Sequence, residues 1–154
     1  MGGAADKPTA VIVHATAIAV DGRAALLFGA SGSGKSDLAL RCIVTVARLG
    51  SRLVTPELVA DDQVEIALDG GHLVCRPPTT LAGRIEVRGL GIVDVPHVTV
   101  ARVALAVVID GPPAERMPPP ATRQILGTEI PEIRLSPFEA SAPMKLLLAL
   151  QQAR

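Results

Sequence analysis

The stretch Gly29-Ala30-Ser31-Gly32-Ser33-Gly34-Lys35-Ser36 fits the phosphate-loop pattern G-x-x-x-x-G-K-[ST] at each fixed position. Gly29, Gly32 and Gly34 free the backbone to turn successive N–H groups toward one anion. At this spacing Lys35 reaches the outer phosphates of a nucleotide, and the Ser36 hydroxyl, in the first helical turn, reaches a magnesium ion. The flanks supply the order the motif needs. Ala24 to Phe28 reads as a short buried strand, and Asp37 to Leu49 reads as a helix closed by Gly50. Asp37 places a negative charge in the first turn, where the helix dipole favours it. The alternative, a flexible Gly/Ser turn, does not account for the Lys-Ser ending.

The rest of the composition sets bounds. With 154 residues, 49% hydrophobic and 19% charged, the chain is expected to form one compact α/β domain over residues 1–154. The formal net charge is zero, without a basic run, and two Phe with no Trp or Tyr leave no stacking platform for nucleic acid. Nucleic acid is therefore a poor partner. Cys42 and Cys75 lack paired-motif spacing and read as reduced core residues. Met1 to Thr9 lacks the pattern of a secretory leader and no apolar run approaches a membrane span, so the expected location is cytoplasmic.

Taken in order, Val11 to Val20 alternates as a strand, Asp21-Gly22 signals a hairpin turn, and Ala24 to Phe28 returns to the loop. A lone strand histidine such as His14 is usually structural, but the hairpin can bring this one near the phosphate loop. After the helix come a β-prone Ser51 to Thr55, then Leu58-Val59-Ala60, an apolar strand running into Asp61-Asp62. Adjacent carboxylates on an extended chain point to opposite sides, so one can face a metal or a nucleophile while the other orients a neighbour. Val64 to Leu68 and Leu73 to Arg76 form a hairpin through Asp69-Gly70-Gly71, with His72 at the surface. Pro77 to Gly83 is irregular. In Arg84 to Val93, Glu86 and Arg88 share a face if the segment is extended. Ala101 to Asp110 reads as a central buried strand, followed by a stiff proline-rich loop holding Glu115 and Arg116. Arg123 to Leu126 and Ile130 to Leu135 read as a strand pair, and Met144 to Gln151 as a final helix.

Three segments together resemble the catalytic domain of the bacterial HPr kinase/phosphorylase family: the loop GASGSGKS followed by an acid, LVADDQVEI from Leu58 to Ile66, and IEVRGLGIVDV from Ile85 to Val95. The last is the most specific of the three. The resemblance implies a P-loop-containing kinase domain with a central mixed β-sheet, phosphoenolpyruvate-carboxykinase-like. It implies that Gly29, Ala30, Ser31, Gly32, Ser33, Gly34, Lys35 and Ser36 hold ATP, and that Ser36 and Glu86 contribute to magnesium binding. Lys35 would be catalytic as well. His14 takes the place of the family's active-site histidine, and Asp62, with Asp61 close behind, would take the proton of the target serine on HPr. Arg116 stands where the family has a later active-site arginine.

By the same resemblance the partners are the phosphocarrier protein HPr, ATP and inorganic phosphate, with no membrane and with a homo-oligomer, a hexamer in the family. The implied activity is a serine kinase that regulates the phosphotransferase system and carbon metabolism, together with phosphorolysis of the phosphoserine. Leu135 to Pro143 departs from the arginine- and glycine-rich loop that the family ties to dephosphorylation. Two other readings suit the loop and the acids: a small-molecule P-loop kinase, and a non-catalytic regulator that senses ATP.

Overall fold

The computed structural model describes residues 9–78 and 81–153. The leader-free reading of Met1 to Thr9 therefore falls almost wholly outside the described residues, as does the middle of the irregular Pro77 to Gly83 stretch. The first strand segment divides in two, β1 (Ala10–His14) and β2 (Thr16–Val20), before β3 (Arg23–Phe28). The β2–β3 turn is Asp21-Gly22, with φ of 52° and 77°. Positive φ at both positions gives the twist that two-residue hairpins prefer. Next come α1 (Lys35–Ile43), the small hairpin β4 (Ala47–Leu49) and β5 (Arg52–Val54), then β6 (Glu57–Ala60), β7 (Gln63–Asp69) and β8 (His72–Arg76). The remainder is β9 (Arg84–Val87), β10 (Gly91–Asp94), β11 (Ala101–Val108), β12 (Ala121–Ile125), β13 (Thr128–Arg134) and α2 (Ala142–Gln152). No helix among the described residues is long and apolar enough to cross a membrane.

The large sheet runs β1-β7-β8-β11-β3-β2-β6, with β13 on β11 and β12 on β13. It is mixed: β11 lies parallel to β3 and β13, whereas β2 is antiparallel to both β3 and β6. Each end of this path is joined covalently to the strand next to the opposite end. β1 runs on into β2 through Ala15, and β6 into β7 through Asp61-Asp62, so the sheet curls round until its ends meet at one corner. There the Ala15 N–H donates to the Asp62 carbonyl at 3.2 Å.

Alternation along the central strands fills both faces. Ala24 and Leu26 point to the concave side with Ala17, Ala19, Val64, Ile66 and Ala106, while Ala25 and Leu27 meet the helices on the other. Alanines dominate the concave side near the corner, and their small volume lets the strands curl closely. On the convex side, Leu38, Ala39, Cys42 and Ile43 give α1 one buried stripe against Leu146, Leu147 and Leu150 of α2. Each such leucine contributes about 1.5–3 kcal/mol by leaving water. Both cysteines are free and fully buried, and burial pushes each thiol up to about 12, as expected of reduced core residues.

One expectation needs correction. The helix ends at Ile43 rather than Leu49, because Val44-Thr45-Val46 is a β-branched run, and the Thr45 hydroxyl donates to the Arg41 and Cys42 carbonyls at 3.0 and 3.2 Å. Gly50 does mark a left-handed position (φ 65°), but as the turn of the β4–β5 hairpin. Arg84 to Val93, whose backbone path the sequence left open, is also a hairpin. Its turn is Arg88-Gly89-Leu90, so Arg88 leaves the strand face that Glu86 occupies.

Candidate active site

The glycine loop leaves the end of β3, an inner strand between β11 and β2, and opens directly into α1. Gly32 and Gly34 hold φ of 79° and 103°, and the Ser33 N–H donates to the Ala30 carbonyl at 3.0 Å, closing the loop. A Cβ at Gly29 would stand 2.5 Å from Ser33 Oγ and 3.0 Å from Ile109 Cγ1, so a larger residue there would force those side chains to shift. Ser33 Oγ is buried against Gly29 and has no hydrogen-bond partner among the described residues.

Lys35 is buried, 6% exposed, and its ammonium donates to the carbonyls of Gly29 at 2.7 Å and Ala30 at 3.0 Å and lies 3.3 Å from His14 Nε2. These three acceptors use all of its hydrogens. Desolvation lowers the Lys35 pKa below 10.5, opposed by the charges of Asp62 and Asp61. His14 turns Nε2 to the Lys35 ammonium and Nδ1 to Asp62 Oδ1, 3.2 Å away, an arrangement that suits a ring accepting at Nε2 and donating from Nδ1. Lys35, His14 and Asp62 thus form one connected chain from the loop to the acidic turn.

Asp61 goes the other way. Its Oδ1 accepts from Ser36 Oγ at 2.6 Å and from Thr16 Oγ1 at 3.1 Å, and its Oδ2 faces the Glu86 N–H at 3.4 Å. The divergence follows from the backbone. Asp62 adopts φ 70°, a left-handed conformation that Asp tolerates better than most residues, and this turns its side chain out to 68% exposure. Ser36 and Asp61 are hard oxygen donors at bonding distance from each other, the chemistry that magnesium takes when phosphates and water complete its shell. Among the described residues no cluster of three or more His, Cys, Asp or Glu side chains forms a cage for a metal.

The structure therefore brings His14, Lys35, Ser36, Asp61 and Asp62 into one group, with Glu86 bordering it through its backbone and its side chain exposed. Arg116 is not part of that group. It stands exposed in the proline-rich loop and makes no hydrogen bond or ion pair to these residues among those described. Two contributors were missed. Thr16, fully buried, has no sequence signal beyond lying two residues from His14 on the apolar strand. Arg88 lies over the glycine loop, its Nη2 3.6 Å from where a Cβ on Gly32 would stand. Its spacing from Glu86 drew notice to it, but only the hairpin turn aims it at the loop.

A glycine loop at the end of an inner strand of a curled mixed sheet, its serine bonded to an aspartate across the corner, defines a phosphate-loop fold. The family model for the HPr serine kinase C-terminal domain matches residues 8–102, which include the loop, the acidic pair and the β9–β10 hairpin. The chain belongs to that family. It is 43% identical over 83 residues to an HPr kinase/phosphorylase of Clostridium beijerinckii and 43% identical over 84 residues to one of Clostridium tetani, each match covering 54% of this chain. These matches span 24% and 25% of the relatives' own lengths, so the matched segment corresponds to about a quarter of each. Among solved structures, the HPr(Ser) kinase/phosphatase from Coxiella burnetii superposes with a TM-score of 0.75, covering 92% of this chain and 94% of that one at 24% identity. That likeness bears out the fold read from the sequence, a phosphate-loop domain built on a central mixed sheet.

Proposed function

We propose that the chain is an ATP- and magnesium-dependent serine kinase acting on HPr, and that it runs the reverse phosphorolysis with inorganic phosphate through the same groups. The observation that carries this reading is the division of labour at the acidic turn: Asp61 is bound to the loop serine, whereas Asp62 is exposed and joined through His14 to Lys35. A nucleotide sensor needs the first acid only. A transferase also needs a base open to a protein hydroxyl.

When bound, magnesium ATP supplies the phosphoryl group and much of the charge neutralisation. Ser36 and Asp61 would hold the metal, with Glu86 at its border, and the amides of Gly32 to Ser36 would cradle the phosphates. Lys35 would exchange a loop carbonyl for a phosphate oxygen. Asp62 would accept the proton of the target serine as its oxygen bonds to phosphorus, with His14 fixing the carboxylate's direction. In reverse, protonated Asp62 would return that proton to the serine oxygen as phosphate attacks phosphoserine and pyrophosphate departs. Arg88 and Arg116 are further cations for the charge that develops, Arg88 from its place over the loop and Arg116 only if the proline-rich loop folds inward. The cytoplasm, where ATP and HPr occur together, is the location this activity requires.

The test is to incubate the purified chain with magnesium, γ-labelled ATP and HPr, with HPr carrying alanine at the target serine as control. Label on HPr that depends on the serine supports the kinase. ATP binding without label on HPr would overturn it in favour of a non-catalytic ATP sensor.

A further inference from the structure

Because β3, β11 and β13 run parallel, the segments that follow them leave at one edge of the sheet. The Ile109 N–H donates to the Phe28 carbonyl at 3.0 Å, and the Leu135 N–H to the Val108 carbonyl at 2.9 Å, which keeps these exits in step. Ligands of open parallel sheets bind beyond the carboxyl ends of the strands. Here the phosphate loop follows β3, and the segment Leu135 to Ser141 follows β13, two strands away.

That segment leans on the phosphate loop. A Cβ at Gly34 would stand 3.1 Å from Phe138 Cζ and 3.4 Å from Pro137 Cβ. It is also tied down on both sides of Phe138. Arg41 of α1 donates to the Pro137 carbonyl and, at 3.4 Å, to the Glu139 carbonyl, while Lys145 Nζ bonds the Glu139 carboxylate at 2.6 Å. The backbone is thereby fixed to the same helix that begins in the phosphate loop, yet the Phe138 ring is 71% exposed. The chain has one other aromatic residue, Phe28, and its ring is already covered by the Arg123 guanidinium at 3.9 Å from the centroid. Phe138 is thus an open aromatic face held rigidly beside the loop.

We infer that Phe138 is the stacking platform for the base of the nucleotide whose phosphates lie on Gly29 to Ser36, an inference that rests on the nucleotide-binding reading above. A flat base has the size and apolar face to cover the ring, and it is tethered to the phosphates on the adjacent loop. Base–aromatic stacking tolerates any base, because each presents a π-face.

The native chain has no tryptophan or tyrosine, so Phe138→Trp places a single reporter at the site. Magnesium ATP and magnesium tripolyphosphate, which lacks sugar and base, are the two probes. Phe138→Ala is expected to weaken ATP binding about tenfold, in the range found for removal of a stacking aromatic. It should leave tripolyphosphate affinity unchanged, and Phe138→Trp should restore ATP affinity, with an emission change that tripolyphosphate does not reproduce. Equal weakening of both probes would mean that the ring only props the loop, and would overturn the inference. So would unchanged ATP affinity, including the case where Phe138→Ala raises the KM for HPr alone and the ring serves the protein partner. If the native chain binds neither probe, the nucleotide reading itself fails. Tripolyphosphate bound as well as ATP, with no effect of Phe138→Ala, removes only the platform.

Discussion

Replacing Asp62 with asparagine separates the base from the scaffold. Asparagine also tolerates a left-handed backbone, so φ 70° at this turn imposes little new strain. The Asp62–His14 pair is 68% and 46% exposed, and surface pairs of this kind are worth about 0–1 kcal/mol. The amide oxygen of the new side chain can still accept from His14 Nδ1. Unfolding in urea should therefore shift by less than about 1 kcal/mol. The amide cannot take a proton from serine, however, and a positioned general base is worth about 10²–10⁴ in rate, or about 3–5 kcal/mol of barrier. The assay is transfer of label from γ-labelled ATP to HPr, with ATP affinity measured by calorimetry on the same sample. ATP binding should persist while transfer falls by at least about a hundredfold. Transfer near the native rate would refute Asp62 as the base and shift that role to Asp61. Loss of ATP binding would refute the separation of the two acids.

Asp61→Ala should behave in the opposite way. It deprives the fully buried Thr16 hydroxyl and Ser36 of their shared acceptor, costing about 1–3 kcal/mol in urea unfolding, and its cost should shrink when Thr16 is already valine; equal costs in the two backgrounds would mean no coupling. For Lys35 the native pKa lies below the unfolded value of 10.5, so the unfolded chain binds more protons between the two, and Lys35 adds stability as pH rises through that window. The buried thiols, raised from 9.0 to about 12, act in the opposite sense over their own range, so the comparison must be native against Lys35→Met; the variant should lack the gain, and parallel urea midpoints against pH would refute it. Gly34→Ala forces a side chain into φ 103° at 3.1 Å from Phe138, which should cost about 1–2 kcal/mol in unfolding and weaken tripolyphosphate binding in calorimetry.

The features that could be read from the sequence are those written in consecutive residues. The loop requires glycines and Lys-Ser at fixed spacing, the β2–β3 and β7–β8 turns are marked by Asp-Gly and Gly-Gly, and β11 is apolar because it is buried on both faces. The errors fall where distant residues decide. Val44-Thr45-Val46 can end a helix or continue it weakly, and burial of Leu49 and Val54 against the convex core settles the matter for a hairpin. Thr16, Arg88 and Phe138 could not be placed because each reaches the site across the fold rather than along the chain.

The strand break at Ala15 joins these two classes. Val11 to Val20 reads as one strand, and in hydrogen bonding it nearly is one, except that its first half pairs with β7 and its second with β3 and β6. A straight strand could not do both. The change of partner at Ala15 sets His14 and Thr16, on either side of the corner, against Asp62 and Asp61, which flank the matching change from β6 to β7. One bend in a curled sheet thus assigns the two acids different partners, His14 for Asp62 and the Thr16–Ser36 hydroxyls for Asp61. If that bend is what separates their roles, exchanging the partners' chemistry at residues 14 and 16 should disturb the acids selectively. His14→Ala should reduce transfer with little loss of stability, whereas Thr16→Val should do the reverse.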